Sequence, residues 1–148
     1  MRIIKVRPGD GAVLAKIAAL DAEIFAANAW GPDSFSDSAG NVYDCLFAAL
    51  EGERGLLGYG LLRCFDDAEI IRIAVDAEAR RQGTGSAILD GMLQEARGRN
   101  VSSVFLEVRE SNLPARSMYG RAGFAKAGLR KNYYSDPAEN AVIMRYIC

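Results

Sequence analysis

A glycine-rich turn between a predicted strand and a predicted helix is the feature that most constrains this chain. The turn reads Arg-Arg-Gln-Gly-Thr-Gly-Ser from Arg80 to Ser86, after the apolar run 70–75 and before a helical pattern over 84–97. Its two glycines let the backbone turn tightly and approach a ligand closely. The first N–H groups of the following helix lack partners and lie at the positive end of the helix dipole. The pattern therefore predicts a site for a phosphate or pyrophosphate, with two arginines beside it.

Neither of two familiar nucleotide-binding loops matches this turn. A Walker loop needs Gly-Lys-Ser or Gly-Lys-Thr, and the dinucleotide-binding G-x-G-x-x-G pattern would need a glycine where Ile88 stands. What remains is R-x-x-G-x-G, formed by Arg80, Gly83 and Gly85. A short glycine-rich turn between a strand and a helix is more often plain architecture, so its interpretation depends on the rest of the chain.

The composition is that of an ordinary globular domain. The chain has 148 residues, of which 50% are hydrophobic and 25% charged, so we expect one domain over residues 1–148. A net charge of −1 gives no electrostatic footprint for nucleic acid and no bias towards a membrane surface. No apolar run is long enough to span a membrane, and the first residues lack the apolar core of a signal peptide. These observations favour a cytoplasmic protein without a nucleic-acid partner.

The cysteine and histidine counts limit the chemistry that the chain can perform. Cys45, Cys64 and Cys148 are far apart and odd in number, which argues against a disulfide framework or a zinc site. The chain has no histidine, which excludes the usual serine–histidine and cysteine–histidine nucleophile schemes. Acid–base chemistry must therefore use carboxylates, tyrosines, lysines, water or the substrate itself.

Apolar patterns separated by glycine, proline and polar turns predict seven strands and four helices. The predicted strands are residues 2–7, 42–50, 56–64, 69–75, 103–108, 124–134 and 141–147. The predicted helices are residues 11–27, 32–38, 84–97 and 114–121, and Asp10 is the expected cap of the first. The order is β-α-α-β-β-β-α-β-α-β-β. A parallel pair formed by strands 69–75 and 103–108 would bind a ligand beyond the carboxyl ends of both strands.

Four pairs of segments carry a resemblance to a known family. They are Ile73–Asp76 with Arg81–Gly85, Leu106–Arg109 with Ser111-Asn112, Met118-Tyr119 with Gly123-Phe124, and Arg130–Tyr134 with Ala141–Met144. Trp30 and Phe35 add a W-x-x-x-x-F spacing. In these segments, and in its element order, the sequence resembles the GNAT N-acetyltransferase superfamily. Within that superfamily it is similar to the bacterial ribosomal-protein-alanine N-acetyltransferase branch.

The resemblance implies a mixed α/β (α+β) fold, the GNAT fold, with a mostly antiparallel central sheet flanked by helices. In that fold a splayed parallel pair of strands binds acetyl-CoA. The implied activity is direct transfer of an acetyl group from acetyl-CoA to an amine, without a metal. The implied acceptor is the N-terminal α-amino group of a protein such as ribosomal protein S18. A small-molecule amine or a lysine side chain is the alternative acceptor, and a non-catalytic acyl-CoA-binding module is the alternative function.

The resemblance also implies a set of acetyl-CoA contacts. The pyrophosphate would lie on the glycine-rich turn, and the backbone of the preceding strand would pair with the pantetheine arm. The N–H near Val75 would donate to the thioester oxygen. Ile73 and Val75 can also be plain core strand residues, and Asn112 can also be a helix cap. The implied contact residues are Ile73, Ala74, Val75, Arg81, Gln82, Gly83, Thr84, Gly85, Ser86 and Asn112.

Glu107 is the leading candidate for the catalytic base. It lies in the otherwise apolar strand 104–108, where a carboxylate costs free energy unless it is paired or used. A carboxylate acting through water can deprotonate an α-amino group, whose ordinary pKa is about 7.7–8.0, more readily than a lysine at about 10.4. A salt bridge to Arg109 or Arg130 is the alternative role. Glu69, at the start of the preceding strand, is the rival base.

Tyr119 is the leading candidate for the acid that protonates the departing thiolate. It follows Asn112 by about two helical turns, and the resemblance assigns it this role. The alternative is an ordinary tyrosine at the edge of the core. Trp30, Tyr133 and Tyr134 are expected either to line a peptide groove or to be aromatic residues at the edge of the core.

Overall fold

The computed structural model describes residues 1–148 and contains seven strands and four helices. The strands are β1 (Arg2–Lys5), β2 (Asp44–Glu51), β3 (Gly55–Cys64), β4 (Ala68–Val75), β5 (Ser103–Arg109), β6 (Ala125–Tyr134) and β7 (Glu139–Ile147). The helices are α1 (Gly11–Phe25), α2 (Pro32–Gly40), α3 (Thr84–Gly98) and α4 (Leu113–Ala122). The predicted element order is confirmed, although β1 and α1 each end two residues before the predicted position.

Strand pairing leaves one opening in the sheet. The strand order is β1-β2-β3-β4-β5-β7-β6, and every neighbouring pair is antiparallel except β4 with β5. This parallel pair is joined only where Ala68 faces Val104 and Glu69 faces Phe105. Beyond these positions both strands continue without pairing to each other. They therefore form a wedge that opens towards their carboxyl ends, and the predicted mixed sheet with a splayed parallel pair is confirmed.

A β-bulge in β4 lies where this wedge begins. Leu61 of β3 faces Arg72, but Leu62 faces Ile70, so Ile71 is the extra residue. A bulge bends its strand, increases the local twist and re-aims side chains. Ile71 packs on the α1 side of the sheet, and the next residue, Arg72, also bonds to α1. The bulge thus changes which side chains of β4 point to each face.

The sheet separates two hydrophobic cores. On one face, α3 and α4 cover a cluster of 22 buried residues, which includes Ile88, Leu89 and Met92. The buried residues of α3 recur about one helical turn apart, so one side of the helix lies on the sheet. On the other face, α1 and α2 cover a cluster of 11 buried residues, which includes Ile17 and Phe35. None of the helices is long and apolar enough to cross a membrane.

The face that carries α1 and α2 is covered over only part of its width. These two helices pack on β2, β3 and β4. Alternate residues of a strand point to opposite faces, and one set of β5 residues is buried in the core under α3 and α4. The other set, Phe105, Glu107 and Arg109, points to the α1 face and is only partly buried. A shallow surface is therefore left beside the wedge.

The helix caps differ from prediction at Asp10. The Asp10 carboxylate accepts a hydrogen bond from the N–H of Arg7 (2.9 Å) and none from α1, so it closes the preceding turn without capping the helix. The Asn112 side chain does cap α4, because its Oδ1 accepts from the N–H of Ala115 (3.2 Å). Gly123 ends the same helix with a φ of 110°.

Gly58 allows β3 and β4 to approach closely beside the wedge. A Cβ added at Gly58 would lie 2.7 Å from the carbonyl oxygen of Ala74 and 3.2 Å from the Cα of Val75, which are backbone atoms of the ladder. We expect Gly58→Ala to lower the free energy of unfolding by about 1–3 kcal/mol, measured by urea denaturation. Gly98→Ala is the control, because nothing lies within 4 Å of its added Cβ. Equal losses in the two variants would contradict this role of Gly58.

Candidate active site

The wedge exposes part of the backbone of β4. The N–H of Asp76 donates to the carbonyl oxygen of Leu57 in β3 (2.8 Å). Residues of an antiparallel strand turn their backbone groups alternately to one side and the other, so Ile73 and Val75 point away from β3 and into the wedge. The Val75 carbonyl oxygen accepts from Nε of Arg80 (3.2 Å). The remaining backbone groups of Ile73 and Val75 are left for a ligand that adds itself as a strand.

The glycine-rich turn places free N–H groups at the same end of the wedge. Gly83 has a left-handed φ of 81°, and its carbonyl oxygen accepts the first helical hydrogen bond, from Ala87 (3.0 Å). The N–H groups of Thr84, Gly85 and Ser86 therefore have no acceptor within the protein. The predicted anion-binding turn thus has the geometry that such a site requires.

Several side chains of the turn serve to hold its shape. The Thr84 hydroxyl is buried and donates to the carbonyl oxygen of Ala79 (3.3 Å). The Gln82 amide donates to the carbonyl oxygen of Glu78 (3.0 Å) and accepts from Nη1 of Arg54 (3.1 Å). Arg54 also donates through Nη2 to the carbonyl oxygen of Glu78 (3.2 Å). Of these predicted contact residues, Gln82 and Thr84 therefore offer a ligand mainly their backbone, and Arg54 is a supporting residue that the sequence analysis missed.

Two other features shape the turn. Arg81 has a positive φ of 61°, which is uncommon for a residue with a side chain and marks local strain. A Cβ added at Gly85 would lie 2.9 Å from Sδ of Met118. Glycine at this position thus lets α4 pack closely against the start of α3. Asn112 caps the start of α4, the helix that carries Met118.

Glu107 projects from β5 on the face opposite α3 and α4. Its Oε1 accepts from Nη1 of Arg130 (3.2 Å). Its Oε2 is buried and has no hydrogen-bond partner. Arg109 bonds instead to Glu139 (3.3 Å) and to the carbonyl oxygens of Ser135 and Pro137, which lie in the turn between β6 and β7. The predicted salt bridge with Arg130 thus exists, but it leaves half of the carboxylate unsatisfied, which is unusual for a buried polar atom.

Glu69 has a different environment. It is exposed, its side chain forms no hydrogen bond or ion pair within the protein, and it faces Phe105 at the closed end of the wedge. Glu107 lies two residues further along β5, where the strands have separated. The geometry therefore favours Glu107 over Glu69 as the carboxylate beside the opening.

Three tyrosines lie near the Glu107 carboxylate or near one another. Burial, followed by the proximity of Tyr134, raises the pKa of Tyr119 to about 12. Burial, followed by the nearby Glu107 carboxylate, raises the pKa of Tyr134 to about 12. The pKa of Tyr133 is also raised, and the first cause is that its hydroxyl faces the Glu107 carboxylate as a hydrogen-bond donor. Tyr119 packs edge-on against Phe124 with 5.7 Å between ring centroids. Tyr119 is therefore a core residue, as the alternative interpretation predicts, and its role as an acid stays a prediction.

The segment between α1 and α2 borders the same face. The Trp30 ring is partly exposed and lies 5.5 Å from the Phe35 ring, centroid to centroid. Asp21, Tyr59 and Arg72 hold this segment to the sheet, and the sequence analysis did not identify them. Two sequence features could have done so, namely an aspartate on the apolar side of the first helix and an arginine within an apolar strand. No group of three or more His, Cys, Asp or Glu side chains is placed to hold a metal ion.

The buried Tyr119 phenol should make the fold sensitive to alkali. A tyrosine has a pKa of 10.0 when unperturbed, against about 12 for Tyr119 here. The resulting stabilisation is fully present below pH 10 and is lost as the pH rises through 12. Over this range we expect the free energy of unfolding to fall by about 2–3 kcal/mol more for the wild type than for Tyr119→Phe. An equal fall, measured by urea denaturation at each pH, would contradict this assignment.

The sequence matches a known family over most of its length. Residues 15–124 match the Acetyltransferase (GNAT) family. The ribosomal protein bS18-alanine N-acetyltransferase of Escherichia coli (strain K12) is 39% identical over 111 residues, which are 66% of this chain and 75% of that protein. The protein of the same name from Salmonella typhimurium (strain LT2) is 32% identical over 118 residues, which are 78% of each chain.

Solved structures agree with this assignment. The crystal structure of the ribosomal-protein-S18-alanine N-acetyltransferase from Escherichia coli superposes with a TM-score of 0.81 and 28% identity, over 99% of this chain and 92% of that chain. Arabidopsis thaliana NAA60, in complex with acetyl-CoA, has the same fold, with a TM-score of 0.84 and 16% identity over 99% of this chain and 97% of its own. This chain therefore belongs to the GNAT family and is an acetyltransferase.

Proposed function

We propose that this enzyme transfers the acetyl group of acetyl-CoA to the N-terminal α-amino group of a protein, with ribosomal protein bS18 as the acceptor. The observation that carries the proposal is the Glu107 carboxylate, whose Oε2 is buried without a partner beside the wedge. An unpaired buried acceptor favours a ligand that donates a hydrogen bond, and an ammonium group is such a donor. The names of the relatives supply the class of acceptor.

The donor substrate would lie along β4. The free N–H groups of Thr84, Gly85 and Ser86 suit the pyrophosphate of acetyl-CoA. The open backbone edge at Ile73 and Val75 suits the amide-bearing pantetheine arm. Arg81, Gln82, Gly83 and Asn112 complete the proposed contact set. Ala74, the remaining predicted contact, lies between the two open residues, but its backbone is turned to β3 and its side chain is buried. These residues would fix the thioester in the opening between β4 and β5, where the acceptor meets it.

Glu107 would act as the base. Arg130 holds one carboxylate oxygen, so the other keeps a fixed direction. The attacking amine must lose a proton, and an α-amino group, at an ordinary pKa of about 7.7–8.0, releases it near neutral pH. A lysine side chain would hold its proton more firmly, which favours an N-terminal acceptor. The N–H of Val75 would donate to the thioester oxygen as that oxygen gains negative charge.

Tyr119 would stabilise the departing sulfur. With a pKa of about 12 its phenol is fully protonated at neutral pH, so it is a permanent hydrogen-bond donor. An ordinary thiol has a pKa of about 8.5, so complete proton transfer from this phenol to the thiolate is unfavourable. Its role is therefore hydrogen-bond donation to sulfur. The amine would lose one proton to Glu107 before it attacks, and the second proton, lost as the tetrahedral intermediate collapses, would end on the thiolate.

The test is release of free CoA from acetyl-CoA with three acceptors. These are an alanine-starting peptide with the N-terminal sequence of bS18, the same peptide with a blocked N-terminus, and a polyamine. We expect turnover with the free N-terminus only. Turnover on the polyamine alone would replace the proposed acceptor by a small amine. Bound acetyl-CoA without any turnover would favour a binding module.

A matched pair of variants tests the base. Glu107→Gln should reduce kcat with the free peptide by about 100-fold or more, while the dissociation constant of acetyl-CoA stays within about twofold. Glu69→Gln removes an equivalent carboxylate at the closed end of the wedge and should retain most of the activity. The opposite order of effects would transfer the role of base to Glu69.

A further inference from the structure

Asp21 carries a fully buried carboxylate on α1 that the proposed chemistry does not use. Its Oδ2 accepts from the N–H of Trp30 (2.6 Å), and its Oδ1 accepts from Nη1 of Arg72 (2.7 Å) and from the Tyr59 hydroxyl. A buried carboxylate is tolerated only when donors surround it, and here three elements of the fold supply them. Asp21 therefore links α1, β3, β4 and the segment that follows α1.

Arg72 completes this link from the sheet side. Its Nη2 donates to the carbonyl oxygen of Asn28 (2.6 Å). Its guanidinium lies 4.2 Å from the centre of the Phe25 ring and 5.5 Å from the centre of the Trp30 ring. The side chain is only 14% exposed. One guanidinium therefore contacts the backbone of Asn28 and the aromatic rings of Phe25 and Trp30.

The segment 26–31 has little internal support. It contains Ala26, whose φ of 48° is rare for a residue with a Cβ and persists only where the surroundings hold it. One hydrogen bond lies within the segment, from the N–H of Ala29 to the carbonyl oxygen of Ala26 (3.0 Å). Its two ends also bond to the flanking helices, through the N–H of Ala26 and the carbonyl oxygen of Gly31, so the contacts with Asp21 and Arg72 are the polar restraints on its middle.

The position of Arg72 connects this segment to the wedge. Arg72 lies between the bulged Ile71 and Ile73, whose backbone opens into the wedge. It points to the same face of the sheet as Glu107. The restrained segment thus stands along one side of the surface that Glu107 faces.

We propose that Asp21 and Arg72 are positioning residues that fix the segment 26–31, with Trp30, as one wall of the acceptor groove. The inference rests on the proposed function and adds a specificity element to the same site. Because Arg72 belongs to the strand that would bind acetyl-CoA, it fixes the position of the acceptor wall relative to the bound acetyl-CoA. Loss of the pair would free the wall without altering the donor contacts.

A second arginine–aspartate pair provides the control. Nε and Nη2 of Arg63 in β3 bond to the two carboxylate oxygens of buried Asp44 (2.8 and 3.1 Å), which also accepts from Ser38 (2.7 Å). This pair ties α2 to the sheet and lies at the end of β3 that is distant from the open wedge. Arg63→Met and Arg72→Met thus each leave a buried aspartate without its arginine and should each lower stability.

Trp30 is the one tryptophan in the chain, so fluorescence excited at wavelengths that tyrosine does not absorb reports on the wall alone. In Arg72→Met and Asp21→Asn we expect acrylamide quenching of Trp30 to increase by about twofold or more. We also expect the KM of the acceptor peptide to rise about tenfold, with the KM of acetyl-CoA within about twofold. Arg72→Lys should recover part of both effects, and Arg63→Met should leave quenching and both KM values unchanged.

The outcomes separate the inference from the proposed function. Unchanged quenching in Arg72→Met, or equal rises in the two KM values, would overturn the positioning role. The same changes in Arg63→Met would reduce the effect to general destabilisation and overturn it as well. If the wild type acetylates only the polyamine, the proposed acceptor is wrong. The ratio of KM values measured with the polyamine then decides whether Asp21 and Arg72 position the acceptor side.

Discussion

The shortness of the parallel pairing between β4 and β5 is the constraint on which the rest of the structure depends. Two register positions join these strands, and the bulge at Ile71 bends β4 where the pairing stops. Continued pairing would consume the backbone groups of Ile73 and Val75. Buried backbone groups are rarely left without partners, so an open edge inside a sheet favours a ligand that replaces the missing strand. The free N–H groups at the start of α3 extend that edge.

The side chains of the site also leave a hydrogen-bonding group without a partner. Arg130 binds one oxygen of Glu107 and leaves the other buried and unpaired. Nearby, the partly buried Tyr134 presents a neutral phenol beside this carboxylate, whereas Tyr119 lies in the core under α3 and α4. Elsewhere buried polar groups are fully paired, as Asp21 and Asp44 illustrate. The unpaired groups are therefore concentrated where a ligand would supply the missing partners.

The sequence predicted the elements well because their determinants are local. The apolar spacing of α3, the glycines of the anion-binding turn and Asn112 at the start of α4 each act within a few residues. What escaped prediction depends on contacts between distant parts of the chain. The bulge at Ile71 is defined only by the register with β3, and Arg72 meets an aspartate 51 residues earlier in the sequence.

Side-chain roles in the turn were missed for the same reason. The sequence shows that Gln82 and Thr84 are polar and close to the glycines. It does not show that the Thr84 hydroxyl points inwards and bonds to Ala79. Nor does it show that Arg54, 28 residues before Gln82, donates a hydrogen bond to the Gln82 side chain. The residue type and position of Asp10 suit a helix cap, but the N–H of Arg7 competes successfully for its carboxylate. Residue type thus determines which hydrogen bonds a side chain can form, while tertiary contacts determine which of them it does form.

The two cores on opposite faces of the sheet share no residue. The core under α3 and α4 supports the turn proposed to hold acetyl-CoA, and the core under α1 and α2 supports the wall proposed to meet the acceptor. Substitutions that remodel one layer thus reach the other only through the strands between them. Such a division makes the acceptor half an evolvable module. Descendants of one ancestor can acquire new acceptors while they inherit the donor half unchanged.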